Sequence, residues 1–327
     1  MLHYLFRRIL AMFPLLLGIT VISFAMMHLA PGEPSVVGQQ FNPKVSAQDI
    51  ERLRSYYGLD QPLYVQYWEW LQRMAALDFG RSFSGDSRPV LDKIIERLPI
   101  TLWVNILAMA CIIALAVPIG VLSAVHRDGW WDRCMTVLVF IGFAIPSFWL
   151  GLLLMLGLGV NLGWLPISGI HDYGWEHMSL WQQYWDFLQH LVLPVLVSAV
   201  GGVAGMSRFM RSGMLEVIRA DYITTARAMG YGDTTIHYRL ALKNGILPII
   251  TLLGLSIPGL IGGSVIVEYL FSLPGMGRLF YESILARDYP MVMGITVIGA
   301  VLTLLGNLLA DIAYAWADPR TRMGGQP

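Results

Sequence analysis

Charge is what this sequence has least of. Of its 327 residues 22 are Lys or Arg and 22 are Asp or Glu, 13% in all, and the two signs cancel. A net charge of zero offers nucleic acid no attracting field. Lysine is scarcer still: Lys44, Lys93 and Lys243 are the only three, and none precedes Ser or Thr. That excludes a Walker A loop, in which backbone amides and the lysine of a Gly-Lys-Ser/Thr run hold phosphates. Two cysteines, Cys111 and Cys134, fall in or beside apolar stretches. They read as packing residues, not as a disulfide or a metal pair. Without His or Cys partners at ligand spacing, no metal site is assigned. The apolar stretches also lack the paired Asp, Ser/His or His-x-x-x-His sets that an intramembrane enzyme needs, so no catalytic residue is assigned either.

Apolar length is what the chain has instead. It is 56% hydrophobic with a mean hydropathy of +0.58, the composition of a polytopic membrane protein rather than two soluble domains. A helix needs roughly 20 apolar residues to cross about 30 Å of hydrocarbon. Arg7 and Arg8 precede such a run, Ile9 to Ala30. It is long for a signal-peptide core and shows no small-x-small cleavage site before Pro31, so it reads as a retained first span. Further spans read as Thr101 to Val125, Cys134 to Val160, Leu188 to Met206, Ile246 to Val267 and Met291 to Tyr314. Pro118, Pro146, Pro194 and Pro258 sit in or near them, where bundle neighbours re-satisfy freed carbonyls. Six spans put both termini on one side. The expected fold is an all-α membrane protein of six transmembrane helices.

Residues 31–99 form the only long hydrophilic segment. Ser46 and Asp49 make a capping-box pattern opening a helix that Gly58 stops. Leu63, Tyr67, Trp70, Leu71, Met74 and Leu77 outline a second amphipathic helix. Pro89 then sits at a first helical turn, ahead of an apolar stripe of Val90, Leu91, Ile94, Ile95 and Leu98.

Basic residues set the orientation. Arg7 and Arg8, Arg127 and Arg133, the six Arg and Lys between Arg208 and Lys243, and Arg320 and Arg322 all fall on one side of the proposed spans. The opposite loop, Asn161 to Gln189, has no Lys or Arg but has Asp172, Glu176 and Asp186. The positive-inside rule therefore places both termini, and the polar stretch from Arg208 to Pro248, in the cytoplasm. Trp164, Trp175, Trp181 and Trp185 in the outer loop match an interfacial aromatic belt. A nucleic-acid stacking surface would need basic companions. His171, Asp172 and His177 could suggest a metal site but read as solvated loop residues.

That polar stretch lies between two apolar ones. Leu215, Ile218, Tyr222, Ala226 and Met229 recur at spacings of three and four, one apolar helical face. Gly230 follows as a stop, Asp233 can cap a second helix from Thr234, and Gly245 and Pro248 close it. An amphipathic connector on the membrane surface would show the same periodicity. TARAMG, followed after a spacer by LKNGILP, resembles the cytoplasmic loop of ABC-importer permeases, in the variant of the dipeptide/oligopeptide/nickel permease family. Thr224 and Thr225 stand where other importer permeases often have Glu and Ala, while Ala226 and Gly230 match. Three further runs resemble that family: the DxGxS…RPV…RLPxTL signature ahead of the second span, with Phe79 in the intervening position; VExxFxxPGxGxL…RDYP after the fifth; and NLLxDxxYxxxDPR from Asn307 to Arg320.

The resemblance implies an organisation. Residues 1–30 would be the first span, 31–99 an extracytoplasmic helical segment, 100–320 a five-helix permease core and 321–327 a tail. Asp221, Tyr222, Thr224, Thr225, Ala226, Arg227, Ala228, Gly230 and Pro248 would form the coupling loop between spans four and five that docks on an ATPase. Gly259, Gly263, Glu268, Pro274, Gly275, Gly277, Asn307 and Asp311 would belong to the translocation pathway or its mouth. Gly259/Gly263 and Gly201/Gly205 are small-xxx-small pairs, which allow close helix approach whether for gating or for static packing. The implied partners are a second homologous permease subunit, two ATP-binding subunits that hold ATP and Mg, an extracytoplasmic solute-binding protein and the bilayer of the bacterial inner membrane. This chain would bind no cofactor of its own. The implied cargo is di- or oligopeptide, with nickel complexes, glutathione or oligosaccharide carried by similar machinery. A secondary transporter, the rival reading, would show inverted repeats and mid-membrane ion ligands.

Overall fold

The computed structural model describes residues 2–29, 61–257 and 259–317. Among these the chain is helical, with no strand and one isolated bridge, Arg81 to Pro89. The helix expected from Ser46 to Gly58, together with Pro258, Arg320, Arg322 and the tail, lies outside the described residues.

α1 covers Leu2–Leu29, α2 Leu63–Ala75 and α3 Val90–Val125. α4 covers Trp130–Ala144, and α5, Ser147–Leu154, runs on through a π-helical turn, Met155–Asn161. α6 covers Leu180–Ile218 and α7 Asp221–Ala228. After a second π-helical stretch, Thr235–Ala241, come α8 (Leu242–Gly245), α9 (Leu247–Ser256), α10 (Gly259–Gly262), α11 (Val265–Leu270), α12 (Met276–Leu285) and α13 (Tyr289–Ala317). Among the described residues five helical stretches are long and apolar enough to cross a membrane, and α4 with α5 makes a sixth if the bent pair is one span.

Two expected spans are not single helices. Cys134 to Val160 is bent by 102° between α4 and α5. Pro146 is the cause: the residue before a proline avoids the α region, and Ile145 is extended at φ −75°, ψ 123°. Pro118 and Pro194 are absorbed within α3 and α6. Ile246 to Val267 is likewise broken into α9, α10 and the start of α11. The second break is at Gly263, whose φ of +64° no helix allows. The expected fourth span, Leu188 to Met206, is only the middle of α6. That helix has 39 residues and starts at a capping box in which Ser179 and Gln182 satisfy each other's backbone amides. At 1.5 Å per residue it is about 58 Å long, so it projects well beyond the apolar layer.

α3 and α6 pack along each other and share two clusters, and α3 carries a third without α6. The first joins Ala116, Val121 and Ala124 of α3 to Met206, Met210 and Met214 of α6 and to residues 223–249. The second joins Val104 to Leu191, Leu193 and Val197 and to Val267, Phe271 and Leu273. The third joins Val90 and Ile94 to Met276, Met291 and Ile295. Ile95 departs from its expected stripe and is exposed, because Val90 and Ile94, one turn apart, already fill the contact with α12 and α13.

α2 rests on α1. Thr20 Oγ1 and Tyr67 Oη are 2.9 Å apart, and the Phe24 ring meets Tyr67 edge-on at 5.4 Å. Leu63 and Leu77, expected in the stripe of α2, are exposed: Leu63 begins the helix and Leu77 lies past its end, so neither reaches α1.

Candidate functional site

α6 ends at Ile218, and Ala220, extended at φ −71° and ψ 149°, resets the register before α7. The single face expected from Leu215 through Met229 is therefore not made. Instead Ile223 is buried against Met210, Met214, Ile236, Ala241 and Ile249, and Ala226, three residues on, is buried on the same side of the helix. Tyr222 and Met229 point outward, Met229 with 66% exposure. A helix of eight residues has little stability of its own, so this packed side is what holds α7 in shape. Ala226, expected on the docking face, is 3% exposed and turned into the bundle. Asp221, Tyr222, Thr224, Thr225, Arg227, Ala228 and Gly230 are all exposed.

The stop at Gly230 is as expected. Its φ is +84°, the Tyr231 amide donates to the Ala226 carbonyl at 3.2 Å, and the Gly230 amide donates to Arg227 at 2.9 Å. These are the paired bonds of a Schellman turn. No atom lies within 4 Å of where a Cβ would stand, so only backbone conformation demands glycine there.

The return helix differs from expectation at both ends. It begins at Asp233, with the Ile236 amide donating to the Gly232 carbonyl, so Asp233 is inside the helix and does not cap it. Gly245 does not stop it. The chain passes through Ile246 into α9 with Pro248 in the first turn, where a missing amide costs nothing. Gly245 is the crossing point with α6: a Cβ on Gly213 would stand 2.8 Å from the Gly245 oxygen. Asn244 Nδ2 donates to Tyr222 Oη at 2.8 Å, tying the two helices on their outer side. α6 is anchored in turn by a two-pronged pair, Arg211 Nε to Asp132 Oδ1 at 2.8 Å and Nη2 to Oδ2 at 2.7 Å.

Toward the other end of α6 the residues quoted after the fifth span converge on Glu268 of α11. Its side chain is 2% exposed. Oε1 accepts from Thr101 Oγ1 at 2.8 Å and Oε2 from the Arg278 amide at 2.9 Å, while Thr101 Oγ1 accepts from the Met276 amide at 2.8 Å. Gly263, Gly275 and Gly277 wall the carboxylate in. A Cβ on Gly263 would stand 2.7 Å from Oε1, and one on Gly275 would overlap the carboxylate carbon. Burial pushes this carboxyl above the ordinary range, and the bonds from Arg278 and Thr101 pull the other way. Pro274 and Gly275 turn the chain between Leu273, which is buried, and α12. Nearby, the signature ahead of the second span meets the one after the fifth: Ser82 Oγ donates to Asp288, and Lys93 Nζ donates to Ser82 Oγ at 3.0 Å.

The comparison with known families rests on nearly the whole of this framework. A model described as "Binding-protein-dependent transport system inner membrane component" matches residues 116–323, and a model of that component's N-terminal part matches residues 1–105. The chain belongs to this family. Among curated relatives of this inner-membrane component, the oligopeptide transport system permease protein AppB of Bacillus subtilis (strain 168) is 45% identical over 97% of this chain and 98% of that protein. The glutathione transport system permease protein GsiC of Salmonella choleraesuis (strain SC-B67) is 37% identical over 98% of this chain and 99% of its own length. A chain in a solved structure of the inward-facing MetNI methionine ABC transporter superposes with a TM-score of 0.50 at 17% identity, covering 68% of this chain and 96% of that one. That likeness concerns the fold. Family membership makes the chain a multi-pass inner-membrane component.

The remaining predicted positions are scattered. Among the described residues nothing lies within 4 Å of a Cβ at Gly259, Gly201 or Gly205, so no small-xxx-small approach is made at them there. The close α3–α6 crossing uses Gly120 instead, where a Cβ would stand 2.7 Å from the Ser207 oxygen. Asn307 is half-buried in α13, and the side chain of Asp311 lies outside the described residues. Sequence reasoning missed Thr101, and it missed Asn105, whose Nδ2 donates to the Leu260 carbonyl of α10 at 2.7 Å. Their signal was available, since a polar side chain in an apolar run is costly unless partnered.

Proposed function

We propose that this chain is the membrane-spanning permease subunit of an ABC importer for di- or oligopeptides, driven by ATP hydrolysis in separate subunits. The observation that carries the reading is the two-sided α7. One side is buried, with Ile223 packed into the α3–α6 bundle and Ala226 beside it, and the other offers Tyr222, Thr225 and Met229 outward. A short helix so placed can receive a push from a docked partner and pass it to α6 and α9. Docking of an ATPase there would make Asp221, Tyr222, Thr224, Thr225, Arg227, Ala228 and Gly230 coupling residues, with Ala226 supporting them from the buried side and Pro248 at the start of α9. ATPase closure would re-pack the spans between inward- and outward-facing forms. The assembly would contain a second homologous permease, two ATP-binding subunits that hold ATP and Mg, and an extracytoplasmic solute-binding protein. Both termini and α7 would face the cytoplasm, and the Glu268 region would line the outer mouth. The AppB relative favours oligopeptide, and the GsiC relative supports glutathione as the second reading.

Gly230→Val tests the coupling role. A β-branched residue at positive φ costs about 1–2 kcal/mol locally, and nothing around the site forbids the side chain. The variant complex is expected to assemble and hydrolyse ATP but to lose binding-protein-dependent uptake. Unimpaired uptake removes the turn from the mechanism. Uptake that follows the proton gradient and survives ATP depletion replaces the whole reading with a secondary transporter.

A further inference from the structure

One group of metal-ligating side chains takes part in neither α7 nor the Glu268 region. After the π-helical turn that follows α5, the chain loops out through residues 162–179 and returns as α6, which brings Asp172 of the loop against Asp186 and His190 on the first turns of that helix. His190 is 4% exposed. Its Nδ1 lies 2.9 Å from the Asp186 carbonyl oxygen. A carbonyl only accepts, so Nδ1 carries the proton and, in the neutral ring, Nε2 carries the lone pair. That nitrogen faces Asp172 Oδ1 at 3.6 Å. A lone pair and a carboxylate oxygen repel, so a cation belongs between them. A proton on Nε2 would draw the pair to about 2.7–2.9 Å, and 3.6 Å is too long for a hydrogen bond. Two ligands of one tetrahedral Zn²⁺, each at about 2.0–2.2 Å from the ion, stand roughly 3.4 Å apart.

Asp186 completes the set. Its Oδ2 accepts the Asp172 amide at 3.1 Å, which fixes the loop over it, and one ligand atom from each of the three residues lies within 4.8 Å of the other two. The stretch from Asn161 to Gln189 holds no Lys or Arg to neutralise the two carboxylates. The bond from Nδ1 to a backbone carbonyl is also the support that a metal-bound histidine ordinarily has. His171 and His177, in contrast, are exposed, and His171 stacks on Trp175.

We propose that Asp172, Asp186 and His190 form a site for one divalent first-row transition ion of the Zn²⁺ type, with three protein ligands and a fourth position open to water. The ion would clip the 162–179 loop to α6. The same loop donates from the Gly169 amide to the Phe271 carbonyl at 2.9 Å, so it is also tied to the segment following Glu268.

The test uses the assembled transporter, stripped with chelator and titrated with Zn²⁺ against a competing dye, and separately with Co²⁺. The expected result is one more tightly held Zn²⁺ per copy of this chain than in the Asp172→Asn complex, whose affinity at this site falls at least about tenfold. Co²⁺ should give intense visible bands in the unmodified complex and weak ones in the variant. Asp172 is exposed on a loop, so the variant keeps its fold even if His190→Gln does not assemble. Equal zinc uptake by the two complexes, or a Co²⁺ spectrum that stays that of the hydrated ion, overturns the proposal.

Discussion

Two short helices, α7 and α11, are each followed closely by a glycine in a special position, yet they are built in opposite ways. α7 is held from one side. Ile223 and Ala226 are buried, every other position quoted for coupling is exposed, and the turn at Gly230 touches nothing. α11 is enclosed. Glu268 is bound by a hydroxyl and a backbone amide, and three glycines stand where any side chain would collide. A segment that a partner must grip needs one free face and an independent turn. A segment that fixes how three pieces of chain meet needs a buried group whose bonds only one arrangement satisfies. Glycine serves conformation in the first and space in the second.

The largest expected difference lies in stability. Glu268→Ala leaves Thr101 Oγ1 and the Arg278 amide without their acceptor, and should cost about 3 kcal/mol. Tyr222→Ala removes one exposed hydrogen bond and should cost less than about 1 kcal/mol. Thermal unfolding of the purified complex compares them, and equal losses would erase the contrast. Next comes accessibility on α7 itself. With a cysteine in the cleft of the ATPase subunit, Met229→Cys should cross-link readily and Ala226→Cys should not. The reverse pattern would mean that α7 rotates on docking.

The smallest effect is a pH dependence around Asp86. Lys93, with Ser84, holds the Asp86 carboxyl down at about 2 from its usual 3.8. Its contribution to stability is therefore complete above pH 3.8 and fades as pH falls toward 2. Asp86 is half-exposed, so that contribution is small. Asp86→Asn should flatten the acid limb of the unfolding curve slightly between those values. An unchanged limb would mean that Lys93 is held by Ser82 and Ser84 and gains nothing from Asp86.

Much of this was readable before any coordinates. The apolar runs, the stop at Gly230 and the family's motifs required only local rules: the length of a span, the conformational freedom of glycine, and recognised residue patterns. The errors have a common origin. The period through Tyr222 and Met229 assumed one continuous helix, and a single extended residue, Ala220, shifted the register so that Ile223 took the buried place. The span through Pro146 assumed that a bundle absorbs proline, which it does at Pro118 and Pro194 but not there. Gly245 looked like a stop and is a crossing, because that distinction depends on whether α6 passes behind it.

The sequence by itself determined that the chain is a helical membrane component of a known transport family, because apolar length and local motifs are properties of consecutive residues. Only the tertiary structure decided which face of α7 is free, what encloses Glu268, and that Asp172 meets Asp186 and His190. Each of those is a contact between residues distant along the chain or between helices, fixed by how α3 and α6 pack and how the loops return to them.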